Sequence, residues 1–272
     1  MNIETPSSAT TGSERDIALC RSILYQALSL GFRPPTAETL RRLGRSESAA
    51  ALSEAAAVLD AGQRTMLGTR TLALTSGHGW GDAAARHETF DGLFGHTGRP
   101  TVPPYETEYG DDTLFERPQE LSDLAGFLRA FGLKIGAATR ERIDHVSCEL
   151  EFLAFLARKE AHAIETGDRE MTDETRKATR LFLRDHLGRF VPSFAHRVMR
   201  ADPDGFYGQL AGLCLEMVKT ECARFAVPAG PELLRLREPI DDKAPMACGS
   251  AGDCAPGPCG TSAGGDQADE DR

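Results

Sequence analysis

Imidazole and carboxylate side chains lie at helical spacing in the segment Glu141–Glu160, ERIDHVSCELEFLAFLARKE. At about 100° per residue, His145 and Glu149 share one face with Phe152, which places Glu149 on the buried half of the helix. An ionised carboxylate is costly there unless it is paired. The spacing predicts a satisfied His145–Glu149 pair with Asp144 as a helix cap. Alternatively, a neighbouring tyrosine or arginine is the partner of Glu149.

Tyrosines and glutamates are concentrated in the stretch VPPYETEYG, which holds two of the four tyrosines in the chain. The surrounding residues 95–113 contain too many glycines and prolines for a regular element, so we predict a long loop. Loops of this length in compact domains are often functional. From the residues alone, Tyr105 and Tyr109 are expected to pack the loop onto the core, with one hydroxyl reaching Glu149 or His145.

Three cysteines lie close together near the C-terminus, at Cys248, Cys254 and Cys259. The chain has no CxxC pair, so thioredoxin, zinc-ribbon and ferredoxin signatures are absent. These thiols are either incidental or bind a metal or cluster transiently, or form disulfides. The helix around His145 has no second histidine at zinc-enzyme spacing, and no nucleophile motif occurs. We therefore expect neither an enzyme nor a resident cofactor.

The chain is acidic, with a formal net charge of -10. From Asp241 onward it has seven acidic residues against Lys243 and Arg272. An acidic body without a basic stripe argues against nucleic-acid binding and suits a cationic or apolar peptide partner. No window is apolar for long enough to enter a membrane, and the N-terminus lacks a signal-peptide layout, which predicts a cytoplasmic protein.

Apolar residues recur at helical spacing in several separate segments between residues 13 and 225. Ser13, with Asp16 three residues later, has capping-box spacing and predicts the first helix start. No β-hairpin signal and no internal repeat occur, so we predict an all-α, single helical-bundle domain over residues 13–238. Residues 1–12 are expected to be disordered, and residues 239–272 to form a flexible, acidic, cysteine-containing tail. Further helices are predicted at residues 36–60, 63–74, 83–94, 119–131, 140–165, 172–187, 192–199 and 205–225.

Two segments taken together resemble one family. The first segment is residues 90–109, FDGLFGHTGRPTVPPYETEY. It is similar to a loop pattern that begins with an aromatic residue and Leu-Phe, continues with a glycine-rich turn and prolines, and closes with aromatic-acid-x-x-Tyr. IDHVSCELEFLAFL, residues 143–156, resembles the Asp-His-x-x-x-Glu-Leu-x-Phe helix that follows that loop. In this order, the motifs resemble the redox-enzyme maturation chaperones of the TorD/DmsD/NarJ type. Two departures are Ile143, where many members have proline, and the sequence ETE after Tyr105.

The resemblance implies an all-helical, cytoplasmic, non-enzymatic chaperone. Such chaperones bind the catalytic subunit of a molybdopterin oxidoreductase, the client, often at its twin-arginine leader. They assist cofactor insertion and hold back premature export. A leader has a basic pair followed by an apolar run, so its groove needs carboxylates beside an apolar aromatic floor. The implied client-peptide site is formed by residues of the loop and the following helix: Leu93, Phe94, Pro103, Pro104, Tyr105, Glu106, Tyr109, Asp144, His145 and Glu149.

Two other functions remain open on the sequence. In the first, the protein is a metal- or cluster-handling accessory protein that uses the tail cysteines. In the second, it is a helical adaptor with no connection to a cofactor. A monomer and a domain-swapped dimer are both compatible with a helical bundle.

Overall fold

The computed structural model describes residues 8–61, 65–77, 83–95, 100–111, 116–134 and 141–238. These residues belong to the first of two units into which the chain divides, Met1–Glu238. They form ten α-helices and no β-strand, which confirms the predicted all-α fold. The predicted domain limits stay predictions, because residues 1–7 and 239–272 lie outside the described part.

The first five helices differ from the prediction at three places, one of them the fourth helix, which is predicted at residues 63–74 and spans Leu67–Gly77. The first begins at Ser8, so Ser13 lies inside it and the predicted helix start is wrong. The region 36–60 contains two helices, because the chain leaves the helical conformation at Gly44 and resumes it at Ser46. The helices are α1 (Ser8–Gly31), α2 (Ala37–Leu43), α3 (Ser46–Asp60), α4 (Leu67–Gly77) and α5 (Ala83–Phe94).

The second half of the bundle also has five helices. A tight turn joins two of them, because Gly167 adopts a left-handed conformation with φ 71° and the Asp168 side chain accepts from the backbone N–H of Met171 at 2.9 Å. This cap starts the next helix three residues before its predicted start at residue 172. The helices are α6 (Glu116–Ala130), α7 (Val146–Thr166), α8 (Arg169–Asp185), α9 (Leu187–Ala201) and α10 (Phe206–Arg224).

The residues after α10, 226–238, form an irregular strap along α9. Pro192 lies inside α9 and has no N–H to donate to the carbonyl of Gly188 four residues earlier. That carbonyl instead accepts from the N–H of Gly230 in the strap at 2.9 Å. The Leu234 N–H donates to Ser193 Oγ at 2.9 Å. A helix-breaking residue is thus tolerated because the strap takes over its hydrogen bond.

Two aromatic clusters organise the core, with α7 packed between α1 and α8. Rings in both clusters make mostly edge-on contacts, the geometry that aromatic pairs prefer. The first cluster joins α1, α5, α9 and α10, and the second joins α6, α7 and α8. The first consists of Phe32, Phe90, Phe94, Phe194 and Tyr207, and the second of Phe127, Phe131, Phe152, Phe155 and Phe182.

The predicted loop is irregular over its described residues 100–111, apart from one 3-10 turn at Glu106–Glu108. Its backbone is held on both sides. The Glu106 N–H donates to the carbonyl of Asp144 and the Val146 N–H donates to that of Pro104, both at 2.8 Å. On the other side, the Gly110 N–H donates to the carbonyl of Arg235 in the strap at 2.9 Å. The loop is therefore clamped between the start of α7 and the strap.

Candidate functional site

Asp144 is fully buried and is held by side chains from two elements. Both nitrogens Nε and Nη2 of Arg142 donate to its carboxylate, at 3.0 and 2.7 Å. The Thr107 hydroxyl donates to the same carboxylate at 2.7 Å. Asp144 does not cap α7, so the predicted cap is wrong; it instead ties the loop to the residues that precede α7.

His145 is the residue that caps α7. Its Nδ1 accepts from the backbone N–H of Ser147 at 3.1 Å and lies 2.8 Å from the Ser147 hydroxyl. Its Nε2 lies 3.9 Å from a carboxylate oxygen of Glu141, not beside Glu149. The predicted His145–Glu149 pair is therefore wrong. An imidazole nitrogen replaces the oxygen that usually accepts at this position, which helical spacing alone does not reveal.

Glu106 is the centre of a buried ion network. Its two carboxylate oxygens lie 2.8 Å from Arg189 Nη2 and 3.1 Å from His186 Nδ1. Arg189 Nη2 also donates to Glu120 at 2.9 Å, and Glu120 in turn accepts from Arg237 of the strap at 2.7 Å. The network joins the loop to α6, α9 and the strap. The carboxylate of Glu106 faces this network rather than solvent, because its exposed fraction is 0%.

Glu149 is a buried carboxyl group beside Glu106. Neither of its oxygens has a hydrogen-bond donor among the described residues. Burial raises the pKa of Glu149 well above its ordinary value, and the negative charges of Glu106 and Asp144 raise it further. The protonated form is therefore favoured, and as an acid Glu149 can donate a hydrogen bond to Glu106. Protonation of Glu149 thus avoids the cost of burying a second negative charge beside Glu106 on the buried face of α7.

The two tyrosines of the loop do not contact Glu149. The Tyr109 hydroxyl donates to the carbonyl of Pro103 at 2.8 Å, and the Tyr105 hydroxyl donates to Glu141 at 3.4 Å. Tyr105 also packs edge-on against His145, with ring centroids 5.3 Å apart. Burial raises the pKa of both phenols. The predicted packing of the loop onto the core is present, and the predicted hydroxyl contact with Glu149 is wrong.

The remaining predicted residues, Leu93, Phe94, Pro103 and Pro104, are buried. Phe94 packs in the first aromatic cluster, and Leu93 accepts a backbone hydrogen bond from Val102. The structure thus brings Tyr105, Glu106, Asp144, His145 and Glu149 together and places Leu93 and Phe94 in the core beneath the loop. Their assignment as client contacts stays a prediction.

A groove of about 400 Å³ lies between α6, α7 and α8, beside this polar cluster. Its floor consists of Leu124, Phe152 and Phe182, which are buried. Charged residues Lys134, Glu141, Glu151 and Arg158 also line it, as does Cys148, whose thiol pKa burial raises to about 11. Its walls are formed by half-buried apolar side chains that pack only partly against the core: Leu128, Leu133, Ile143 and Phe155.

Of the ten residues predicted for the site, only Glu149 lines this groove. The sequence predicted the helix that carries Leu124 and Leu128, but not the role of its apolar face. The available signal was the pair of apolar positions four residues apart in a helix whose other apolar residues include Leu121 and Phe127. Glu141 was not assigned to the site, although it lies four residues before His145 in the helix predicted at residues 140–165.

Metal-binding geometry is absent from the described part of the chain, where no group of three or more His, Cys, Asp and Glu residues could hold an ion. Cys20, Cys148, Cys214 and Cys222 are free thiols. The three tail cysteines, Cys248, Cys254 and Cys259, lie outside the described residues. No helix among the described residues combines the length and apolar character needed to cross a membrane.

Comparison with known proteins adds independent information about this region. Residues 46–196 match the family model of the nitrate reductase delta subunit. The selenate reductase assembly chaperone protein of Thauera selenatis is 31% identical over 161 residues, which cover 57% of this chain and 80% of that protein. Chaperone protein TorD of Vibrio cholerae is 31% identical over 134 residues, covering 48% of this chain and 58% of that protein.

The chlorate reductase assembly chaperone protein of Ideonella dechloratans is 32% identical over 104 residues, covering 38% of this chain and 52% of that protein. The residues matched by the family model include the described loop, α7 and most residues of the groove. The resemblance found in the sequence motifs is thereby confirmed. On this evidence the chain belongs to the nitrate reductase delta subunit family, which includes the TorD/NarJ-type chaperones.

Proposed function

We propose that this protein is a cytoplasmic, system-specific chaperone for the catalytic subunit of a molybdopterin-containing oxidoreductase. It assists insertion of the cofactor and holds back premature export of the client. The observation that carries this proposal is the apolar groove beside the loop, in a chain whose relatives include assembly chaperones of selenate and chlorate reductases.

The groove suits an apolar segment of a client. Four half-buried apolar side chains on its walls offer surface that a bound segment would remove from water, with a gain of about 25 cal/mol per Å². Its volume of about 400 Å³ is in the range of sites that hold a ligand the size of a few residues. The groove therefore anchors a short peptide rather than a folded domain.

A carboxylate at the groove suits the basic part of a twin-arginine leader. The Glu141 side chain is 18% exposed and is held in place by the Tyr105 hydroxyl and by His145 Nε2. An arginine of the client can pair with such a carboxylate through two parallel hydrogen bonds. We assign the apolar run of the leader to the groove and one of its arginines to Glu141.

The residues predicted from the loop and from the start of α7 have two roles in client binding. Tyr105 and His145 lie beside Glu141 and orient its carboxylate. Glu106, Asp144 and Glu149 are buried and determine the position of the loop and of the start of α7. The second group acts on the client through the shape of the site, as positioning residues.

The test is capture of client from the native host by three versions of the full chain. These are the wild type, Leu128→Glu in the groove, and the matched control Leu72→Glu. Leu72 is 61% exposed on α4, and it does not line the groove. We expect the wild type and Leu72→Glu to retain the catalytic subunit of a molybdopterin oxidoreductase, and Leu128→Glu to lose it. Enrichment of no such subunit, or equal capture by Leu128→Glu, would overturn the proposal.

A further inference from the structure

A second cavity, of about 620 Å³, lies where α1, α7 and α8 meet the end of α10, and it shares no residue with the groove. Two acidic side chains, Glu14 and Glu160, also line it. Cationic side chains nevertheless dominate its wall, although the whole chain has a net charge of -10. These cations are Arg21, Arg176, Lys177, Arg180 and Arg224.

Arg21 is the most deeply buried of these cations, with an exposed fraction of 1%. Its Nε donates to Glu221 at 2.6 Å and its Nη1 donates to Glu160 at 2.5 Å. Glu221 and Glu160 raise the pKa of Arg21 against the opposing effect of burial, so the guanidinium stays charged. Its third nitrogen, Nη2, is buried and has no hydrogen-bond partner among the described residues. A buried charged donor without a partner is costly, and a ligand oxygen would remove that cost.

The acids near the cavity orient the arginines rather than cancel all of their charge. Arg176 donates to Glu160 at 2.6 Å and to Glu14 at 3.1 Å, and Arg224 donates to Glu221 at 3.1 Å. Three arginines are thus balanced by three carboxylates.

Two further cations supply the positive excess. Arg180 is exposed and has no ion-pair partner in the part of the chain that the structure describes. Lys177 lies 3.7 Å from the exposed Glu174. The charge of Arg180 is therefore available to an anion that enters the cavity, whereas that of Lys177 is partly offset by Glu174.

We infer that this cavity binds a small organic phosphate. Guanidinium groups recognise phosphate oxygens through paired, charge-assisted hydrogen bonds. The ring of Phe225, over which the Arg21 guanidinium lies at 4.9 Å, provides an apolar wall together with Ile17. The volume is that of a site for an organic molecule and exceeds what a phosphate ion alone would fill. The inference is independent of the client-binding proposal, because the two sites have no residue in common.

Calorimetric titration of the full chain tests this inference with three probes: phenyl phosphate, inorganic phosphate and citrate. The heat of each titration is compared with that of a sodium chloride titration at matched ionic strength. We expect phenyl phosphate to bind more tightly than the other two. The variant Arg180→Glu should weaken phenyl phosphate binding about tenfold, since it removes one charge-assisted contact and adds a repelling charge. The control Arg200→Glu, an exposed arginine on α9 outside the cavity, should leave the affinity unchanged.

Arg180 is exposed and forms no ion pair with a described residue, so Arg180→Glu should fold like the wild type, which circular dichroism would establish. In a second variant, Phe225→Ala, phenyl phosphate should bind no more tightly than inorganic phosphate. Three results would each overturn the inference: no heat beyond that of sodium chloride, equal phenyl phosphate affinity in Arg180→Glu and the wild type, or tighter binding of citrate than of phenyl phosphate. None of them depends on whether a client is captured.

Discussion

Two isosteric substitutions in adjacent buried acids should have opposite effects on stability. Glu106 accepts from Arg189 and lies 3.1 Å from His186 Nδ1, so Glu106→Gln removes one of the two carboxylates that pair with Arg189. Glu149 has no hydrogen-bond partner among the described residues, and its protonated form is favoured. In Glu149→Gln, a neutral amide of the same shape takes the place of that carboxyl group. We expect Glu106→Gln to cost about 3 kcal/mol, the lower end for breaking a buried pair, because Arg189 retains Glu120.

The effect of Glu149→Gln depends on pH. Because the folded state raises the pKa of Glu149, its contribution to stability is fully present below the pKa of about 4.3 that glutamate has in unfolded chains. As the pH rises above that value, the unfolded state releases the proton and the folded state keeps it. The free energy of unfolding then falls by up to about 1.4 kcal/mol per pH unit until the folded-state pKa is passed. Glutamine at residue 149 removes this loss.

The assay is urea unfolding followed by circular dichroism, for the wild type and both variants, between about pH 5 and about pH 6. Over this interval the free energy of unfolding of Glu149→Gln should rise relative to that of the wild type, by up to about 1.4 kcal/mol. An equal pH dependence in the two proteins would refute the assignment of a protonated Glu149. Destabilisation of Glu149→Gln as large as that of Glu106→Gln would show that Glu149 acts as a paired carboxylate.

Two further predictions concern glycines. A Cβ at Gly230 would lie 1.9 Å from the carbonyl oxygen of Arg189. Gly230→Ala should therefore displace the strap from α9 and lower the free energy of unfolding by about 2 kcal/mol in urea titrations. Unchanged stability would contradict the docking of the strap. Gly167→Ala should lower the free energy of unfolding by about 1 kcal/mol in the same assay, because Gly167 has φ 71°. The control is Gly126→Ala on α6, where an added Cβ would have no neighbour within 4 Å. This alanine should raise the free energy of unfolding by up to about 1 kcal/mol. Equal effects of these two alanines would show that the turn between α7 and α8 does not need the left-handed conformation.

The helices were largely predictable because their apolar spacing repeats over many residues. The α5 prediction agrees with the structure at both ends, and α10 differs from its prediction by one residue at each end. Boundaries failed where a hydrogen bond that apolar spacing does not show decided them. The sequence predicts a helix start at Pro192, whereas α9 already begins at Leu187, because the strap satisfies the carbonyl that the proline leaves free. Such a compensation involves residues about 40 positions apart, which no local pattern contains.

The site was predictable in composition but not in its pairings. Sequence placed Tyr105, Glu106, Asp144, His145 and Glu149 in one region, and the structure brings them together. It could not predict their partners, since Arg189 and His186 reach Glu106 from more than 80 and about 80 residues away. It also did not predict the groove. The groove results from α6 leaving part of its apolar face uncovered against α7, which is a property of packing rather than of either helix.

The central claim is that the groove binds an apolar segment of a molybdenum-enzyme subunit. Its most direct test is calorimetric titration of the apo catalytic subunit, purified after capture from the native host, into wild type, Leu128→Glu and Leu72→Glu. The account predicts at least about tenfold weaker binding to Leu128→Glu, because a charge in the groove must be desolvated when the segment binds, and unchanged binding to Leu72→Glu. Equal affinity of all three proteins would contradict it.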